Sequence, residues 1–210
     1  MIRVVPWAPG GLEGMGADGI LRSITADLIA DTPFSREMEI QAGPEVVQRL
    51  EVMGELPLGA AVITPGGGLP SEFLIHVVLQ SGEETVTPSS LRAGVENGLR
   101  RAEEWGLEIL ALPCLGTGVG KLDAPDSARV VIPSLLRRLG DSQHLRELVV
   151  LAATDYEREA YEEVLAQTGT TGPPGQTTPP DSPPPEDGSS EEADSSTERL
   201  HGRWPPSGAS

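Results

Sequence analysis

Short apolar runs alternating with amphipathic stretches constrain this chain more than any other feature of its sequence. Phe73–Leu79 is an almost unbroken apolar run, and Gly19–Ile24, Ala60–Thr64, Ile109–Leu112 and Leu148–Ala153 are of similar kind. Pro65–Gly66–Gly67–Gly68 closes one of them as a turn cluster. Runs that are apolar at nearly every position suit strands covered on both faces. Between them lie stretches of helical period. Asp123–Leu139 is the clearest: Ala124, Ala128, Val131, Ile132, Leu135, Leu136 and Leu139 share one stripe, with Asp123 as N-cap and Pro125 in the first turn. Ser89–Trp105 places Leu91, Val95, Leu99 and Ala102 at helical spacing; Pro44–Met53 and Tyr156–Leu165 are two shorter helices. Strands alternating with helices predict a three-layer α/β/α sandwich with a mixed, mainly parallel sheet.

The pattern stops near Gln167. Residues 167–210 hold nine Pro, seven acidic residues and two Arg, with Leu200 and Trp204 the only large apolar side chains. Such a stretch cannot bury enough apolar surface to offset its ordering entropy. The expectation is a domain over residues 1–166 followed by a disordered, acidic Pro/Ser-rich tail over 167–210. The tail carries about −5 of the chain's net −17, so the domain is acidic in its own right. That charge argues against nucleic acid and against an anionic membrane surface, both of which call for clustered Lys/Arg. No segment reaches the roughly 18–20 apolar residues of a membrane span, and Met1–Trp7 is too short for a signal-peptide core. A cytoplasmic protein is expected. A single cysteine, Cys114, excludes an internal disulfide, and His76, His144 and His201 show no metal-ligand spacing, so no metal site and no cofactor are implied.

One segment carries recognisable chemistry. Leu112–Pro113–Cys114–Leu115–Gly116–Thr117–Gly118–Val119–Gly120–Lys121–Leu122–Asp123 leaves a strand and enters a helix. Alternate glycines let the backbone take positive φ and approach a ligand closely. Consecutive N–H groups and the positive end of the next helix suit an anion. A nucleotide P-loop would need Gly at 115 and Ser/Thr at 122, where Leu115 and Leu122 stand; a dinucleotide fingerprint would need Gly at 121, where Lys121 stands.

The stretch Leu112–Gly120 resembles the P-A-L-G-T-G-x-x-G segment of macro domains, the ADP-ribose-binding family. Ala61–Pro70 resembles that family's strand and A-G-x-L turn, Phe73–Val78 its I-H-x-V strand, Ala42–Gly43–Pro44–Glu45 its A-G-P start of a helix, and Glu147–Tyr156 its last strand and following helix. The motifs keep the family's order over residues 17–165. The resemblance implies a macro-type fold and a nucleotide ligand such as ADP-ribose, with ADP-ribosylated protein as a further partner. The implied ligand-binding residues are Gly116, Thr117, Gly118, Val119 and Gly120 at the phosphates, Thr25 at the distal ribose and Tyr156 stacking on the base.

The chain departs from the family pattern in three places. Arg22 and Thr25 replace the two asparagines that end the family's first motif strand; an Arg22 pointing into the old ribose site would favour a ligand-free scaffold or a different anion. Asp27–Arg36 contains no glycine where the family has a glycine-rich loop. The acid that grips adenine would fall near Gly11, with Glu13 out of register. No catalytic residue is therefore assigned; Asp27 and Asp31 are candidate bases, each expected to be an exposed loop carboxylate. His76 is expected to be a satisfied strand histidine and Cys114 a small buried residue. Lys121 is expected to make only a solvent-exposed ion pair. The reading is a binding module for ADP-ribose or a related nucleotide diphosphate. A hydrolase of ADP-ribose derivatives and a ligand-free interaction scaffold are the alternatives.

Overall fold

The computed structural model describes residues 1–170. Strands β1 (Ile2–Pro6), β2 (Gly19–Thr25), β3 (Ala61–Pro65), β4 (Phe73–Gln80), β5 (Ile109–Pro113) and β6 (Glu147–Ala152) form one sheet in the order β1-β6-β5-β2-β4-β3. Only β3 runs antiparallel, against β4; the other pairs are parallel. Helices α1 (Pro33–Ala42) and α2 (Pro44–Met53) cover one face, and α3 (Pro88–Glu104), α4 (Ala124–Asp141) and α5 (Asp155–Thr170) the other. This is the expected α/β/α sandwich with a mixed, mainly parallel sheet.

Side chains along each central strand alternate between the two layers. Ile20, Leu74, Ala111, Val149 and Leu151 pack under α1 and α2 with Phe34, Met38 and Val46. Leu21, Ile75, Val77, Leu110, Leu112, Leu148 and Val150 pack under α3, α4 and α5 with Leu91, Leu99, Val131, Leu135 and Tyr161. Each fully buried large aliphatic contributes about 1.5–3 kcal/mol, so burial on both faces of β2, β4, β5 and β6 is what the apolar runs encode.

Two elements differ from expectation. β1 is an edge strand half-exposed on its outer side, so its five residues carry no continuous apolar run, and Pro6 is tolerated because an edge position needs no second donor. Residues 33–36 are the first turn of α1 rather than loop. Thr32 accepts from the Ser35 N–H at 3.0 Å, Pro33 sits at the first helical position, and Phe34, Met38 and Ala42 are buried four residues apart. The same Thr–Pro start opens α3, where Thr87 and Ser90 cap each other.

Asp123 occupies the N-cap position of α4, but its side chain makes no cap bond and accepts instead from the Tyr156 hydroxyl at 2.8 Å. α5 begins behind Thr154, whose hydroxyl accepts from the Glu157 N–H at 3.1 Å, and runs to Thr170, past the expected boundary at 167. The rest of the expected tail lies outside the described residues. Among the described residues, no helix is long and apolar enough to cross a membrane.

Candidate functional site

Parallel strands β1, β6, β5 and β2 all deliver their C-terminal ends to one rim. The chain leaves β2 toward α1 on one face and leaves β5 toward α4 on the other, which opens a crevice between them, the usual place for a ligand in such sheets. A cavity of about 390 Å3 lies there, within the range of small-molecule sites.

One wall is the glycine loop. Gly116, Gly118 and Gly120 have φ of 76°, 122° and 75°, so each occupies the left-handed region. Gly116 also faces the core: a Cβ there would lie 3.1 Å from Leu91 Cδ2 and 3.2 Å from Val86 Cγ1. The loop folds on itself through Lys121 N–H to the Gly118 carbonyl and Leu122 N–H to the Gly116 carbonyl. Within the described residues, the N–H groups of Gly116, Thr117 and Val119 donate to no acceptor.

Side chains brace this wall from below. The Ser127 hydroxyl donates to the Leu115 carbonyl, so it accepts from the buried Tyr161 hydroxyl at 2.7 Å. Thr117 Oγ1 stands 2.6 Å from Glu157 Oε1 and 2.8 Å from the Cys114 carbonyl, while Glu157 Oε2 accepts from the Ala153 N–H at 2.8 Å. Cys114 is buried, and desolvation together with the Glu157 charge pushes its thiol well above the ordinary range, which leaves it unreactive.

The opposite wall comes from Ser23 at the end of β2, from Asp31 and Thr32, and from Pro33 and Phe34 at the start of α1. Trp7, just past β1, completes it edge-on to Phe34 with ring centroids 5.3 Å apart. Asp31 is not an exposed loop carboxylate: its side chain is 6% exposed, accepts from the Ser23 hydroxyl at 3.3 Å and pairs with Lys121, itself 10% exposed. The expectation of a solvent-exposed pair for Lys121 is therefore corrected. Asp27 is exposed and outside the cavity.

Of the expected ligand-binding residues, Gly116, Thr117, Gly118 and Val119 line the cavity, while Gly120, Thr25 and Tyr156 do not. Thr25 is occupied by a turn, its hydroxyl accepting from the Ile29 N–H at 3.2 Å. Tyr156 lies on the outer surface, held by Asp123. Gly120 is exposed. Trp7, Phe34 and Glu157 line the cavity without having been singled out by sequence. Trp7 follows an edge strand that carries no continuous apolar run, Phe34 lies in a helix turn where the family resemblance places a loop, and Glu157 looks like one more charge on an acidic helix.

Arg22 does not enter the cavity. It is fully buried against α1, where Nε donates to His76 Nδ1 at 2.9 Å and Nη1 donates to the Ser35 carbonyl at 2.8 Å and Glu39 Oε2 at 3.1 Å. Because an arginine Nε–H can only donate, His76 Nδ1 is the acceptor and its proton resides on Nε2, which donates to Thr64 Oγ1 at 2.9 Å. His76 is thus a satisfied strand histidine. Burial, and secondarily the Arg22 charge, hold its pKa well below 6.5.

A family model described as Macro domain matches residues 27–131, half of the chain. A protein of Enterobacter cloacae named O-acetyl-ADP-ribose deacetylase is 28% identical over 167 residues, 76% of this chain and 92% of that one. Among solved structures, a mutant Oceanobacillus iheyensis macrodomain with ADPR superposes at a TM-score of 0.72 with 21% identity, over 81% of this chain and 94% of that one. A Trypanosoma brucei macrodomain in complex with ADP superposes at 0.68 with 19% identity, over 78% and 68%.

Proposed function

The chain belongs to the macro domain family, and from that premise we propose that it is a binding module for ADP-ribose or a closely related nucleotide diphosphate. One observation carries the reading: a loop with three left-handed glycines and uncommitted N–H groups faces a cavity of about 390 Å3 at the C-terminal ends of the strands. Such a loop, followed by the N-terminus of α4, presents donors without demanding a cluster of cations. Trp7 and Phe34 on the other wall supply a flat apolar surface for a base or a ribose. The complexes of the two solved neighbours, one with ADPR and one with ADP, support the choice of ligand. ADP-ribosylated protein is the proposed macromolecular partner, and the cytoplasm, where Cys114 would stay a thiol, the proposed compartment.

The deacetylase name borne by one relative supports a second reading, hydrolysis of ADP-ribose esters. Asp31 is the observation in its favour, since a carboxylate does line the cavity. In the ligand-free cavity, however, both Asp31 oxygens accept from Ser23 and Lys121, so Asp31 could serve as a general base only once Lys121 had turned away. Calorimetric titration with ADP-ribose, ADP and AMP tests the main reading. Saturable binding of ADP-ribose is expected; absence of heat with all three would return the chain to the scaffold alternative. Steady release of acetate from O-acetyl-ADP-ribose would replace binding with hydrolysis.

A further inference from the structure

Among the described residues the cavity's charged lining is Asp31, Lys121 and Glu157, so Lys121 is its single cation there; it is also the only lysine of the 210 residues. The two carboxylates are held differently. Glu157 is engaged by neutral donors, the Thr117 hydroxyl and the Ala153 N–H. Asp31 has one neutral donor, Ser23, and relies on Lys121 for the rest. The Lys121–Asp31 pair ties the glycine-loop wall to the wall that leads into α1 and takes both charges largely out of water, at side-chain exposures of 10% and 6%. Leaving an ammonium so placed without an anionic partner is costly. Two carboxylates and one ammonium leave the lining net negative whichever partner Lys121 takes, so an entering anion is favoured only by where the ammonium points.

Resting on the reading that a nucleotide diphosphate occupies this cavity, we propose that Lys121 is a further ligand-binding residue and that Asp31 is its placeholder. In the empty cavity Asp31 fills the position of the anion. When the diphosphate enters, the ammonium turns from Asp31 to a phosphate oxygen, and Asp31 keeps its bond from Ser23. The stem of Lys121 is already beside the loop: a Cβ built on Gly118 would lie 3.9 Å from Lys121 Cδ. The head group can therefore change partner by rotating about a seated stem. The exchange trades one carboxylate for a group with several charged oxygens, so the charge-assisted bond to Lys121 is kept in both states.

The test uses the full chain with ADP-ribose in calorimetry and exploits the single lysine. Lys121→Met should weaken ADP-ribose at least tenfold. Asp31→Asn, which removes the competitor and keeps the shape, should tighten it several-fold. Lys121→Met leaves Asp31 buried without its cation, so Lys121→Met/Asp31→Asn is measured as well and should fold and bind as weakly. Native-like affinity in that double variant overturns the proposal. If native protein ignores ADP-ribose, the ligand reading fails, and acylation of Lys121 read by mass spectrometry decides the exchange with pyrophosphate as probe. Asp31→Asn should expose Lys121 to the reagent, and pyrophosphate should protect it again. Unchanged acylation in Asp31→Asn, or no protection by pyrophosphate, overturns the proposal independently of the nucleotide.

Discussion

The two walls of the cavity hold their shape by different means. The glycine-loop wall is made of backbone: three residues at positive φ set its path, and Ser127, Tyr161 and Glu157 brace it from behind. The wall after β2 is made by side chains. Arg22 reaches from the sheet to the Ser35 carbonyl and Glu39, and the Ser35 hydroxyl donates back to the Ser23 carbonyl, so one buried cation seats the first turn of α1 and with it Phe34. A backbone wall is sensitive to what is added to it. A side-chain wall is sensitive to what is removed.

The largest effect should come from removing the cation. Arg22→Met breaks the bonds to Ser35 and Glu39 and leaves His76 Nδ1 without a donor. Breaking a buried pair costs about 3–5 kcal/mol, and the expected loss is about 3 because the Glu39 side chain left behind is partly solvated. Urea denaturation measures it. A loss below about 1 kcal/mol, the ordinary size for a single substitution, would mean that the wall is held by apolar packing of Phe34 and Met38 instead.

The converse experiment adds to the backbone wall. Gly118 is exposed, and among the described residues a Cβ there meets only the Lys121 stem at 3.9 Å, yet its φ of 122° strains any other residue. Gly118→Ala and Gly118→Glu should share that strain, about 1–3 kcal/mol of stability, and both should fold. They should part on ADP-ribose: Ala binds nearly as the native chain does, while Glu, placing a carboxylate at the phosphates, loses at least about a hundredfold, or about 2.7 kcal/mol. Equal affinities for Ala and Glu would place the phosphates away from the loop.

The same contrast explains what could be read in advance. The glycine wall was legible because backbone conformation is written locally: Gly116–Thr117–Gly118–Val119–Gly120 between a strand and an amphipathic helix has few other meanings. The fold was legible because apolar runs on β2, β4, β5 and β6 are buried on both faces. The side-chain wall was not, since its determinants are far apart in sequence. Arg22, His76 and Glu39 meet only once β2 and β4 are in register and α1 lies across them. Lys121 and Asp31, 90 positions apart, look like two surface charges until the loops close. Thr32–Pro33 was a legible helix start, obscured by comparison with a glycine-rich loop that this chain does not have.

His76 sharpens the comparison through pH. Its folded pKa lies well below the unfolded value of 6.5, owing first to burial and then to Arg22. The folded state therefore binds fewer protons than the unfolded state as pH falls through 6.5. The stability linked to His76 is fully present above that pH and is lost below it, at up to about 1.4 kcal/mol per pH unit. The neighbouring charges are Arg22, in contact, and Glu39, reached through Arg22. Denaturation of native and His76→Gln protein between pH 7 and 5 should show a steeper loss for native protein. Parallel profiles would mean that His76 protonates in place, and that the side-chain wall admits water.

The smallest expected effect tests where the site ends. Sequence order placed Tyr156 after the last strand, as a ring to stack on a base. In the structure the ring is more than half exposed on the outer surface, and its hydroxyl is given to Asp123 beside the start of α4. The aromatic surface inside the cavity belongs to Trp7 and Phe34, on the other wall. Tyr156→Phe should therefore change ADP-ribose affinity by less than about twofold, the ordinary range for a surface substitution. Trp7→Leu, which removes the indole face and keeps an apolar side chain, should weaken it more. If Tyr156→Phe proved the costlier of the two, the base would lie over the outside of α5, and the proposed division of labour between a phosphate-holding backbone wall and a base-holding side-chain wall would have to be abandoned.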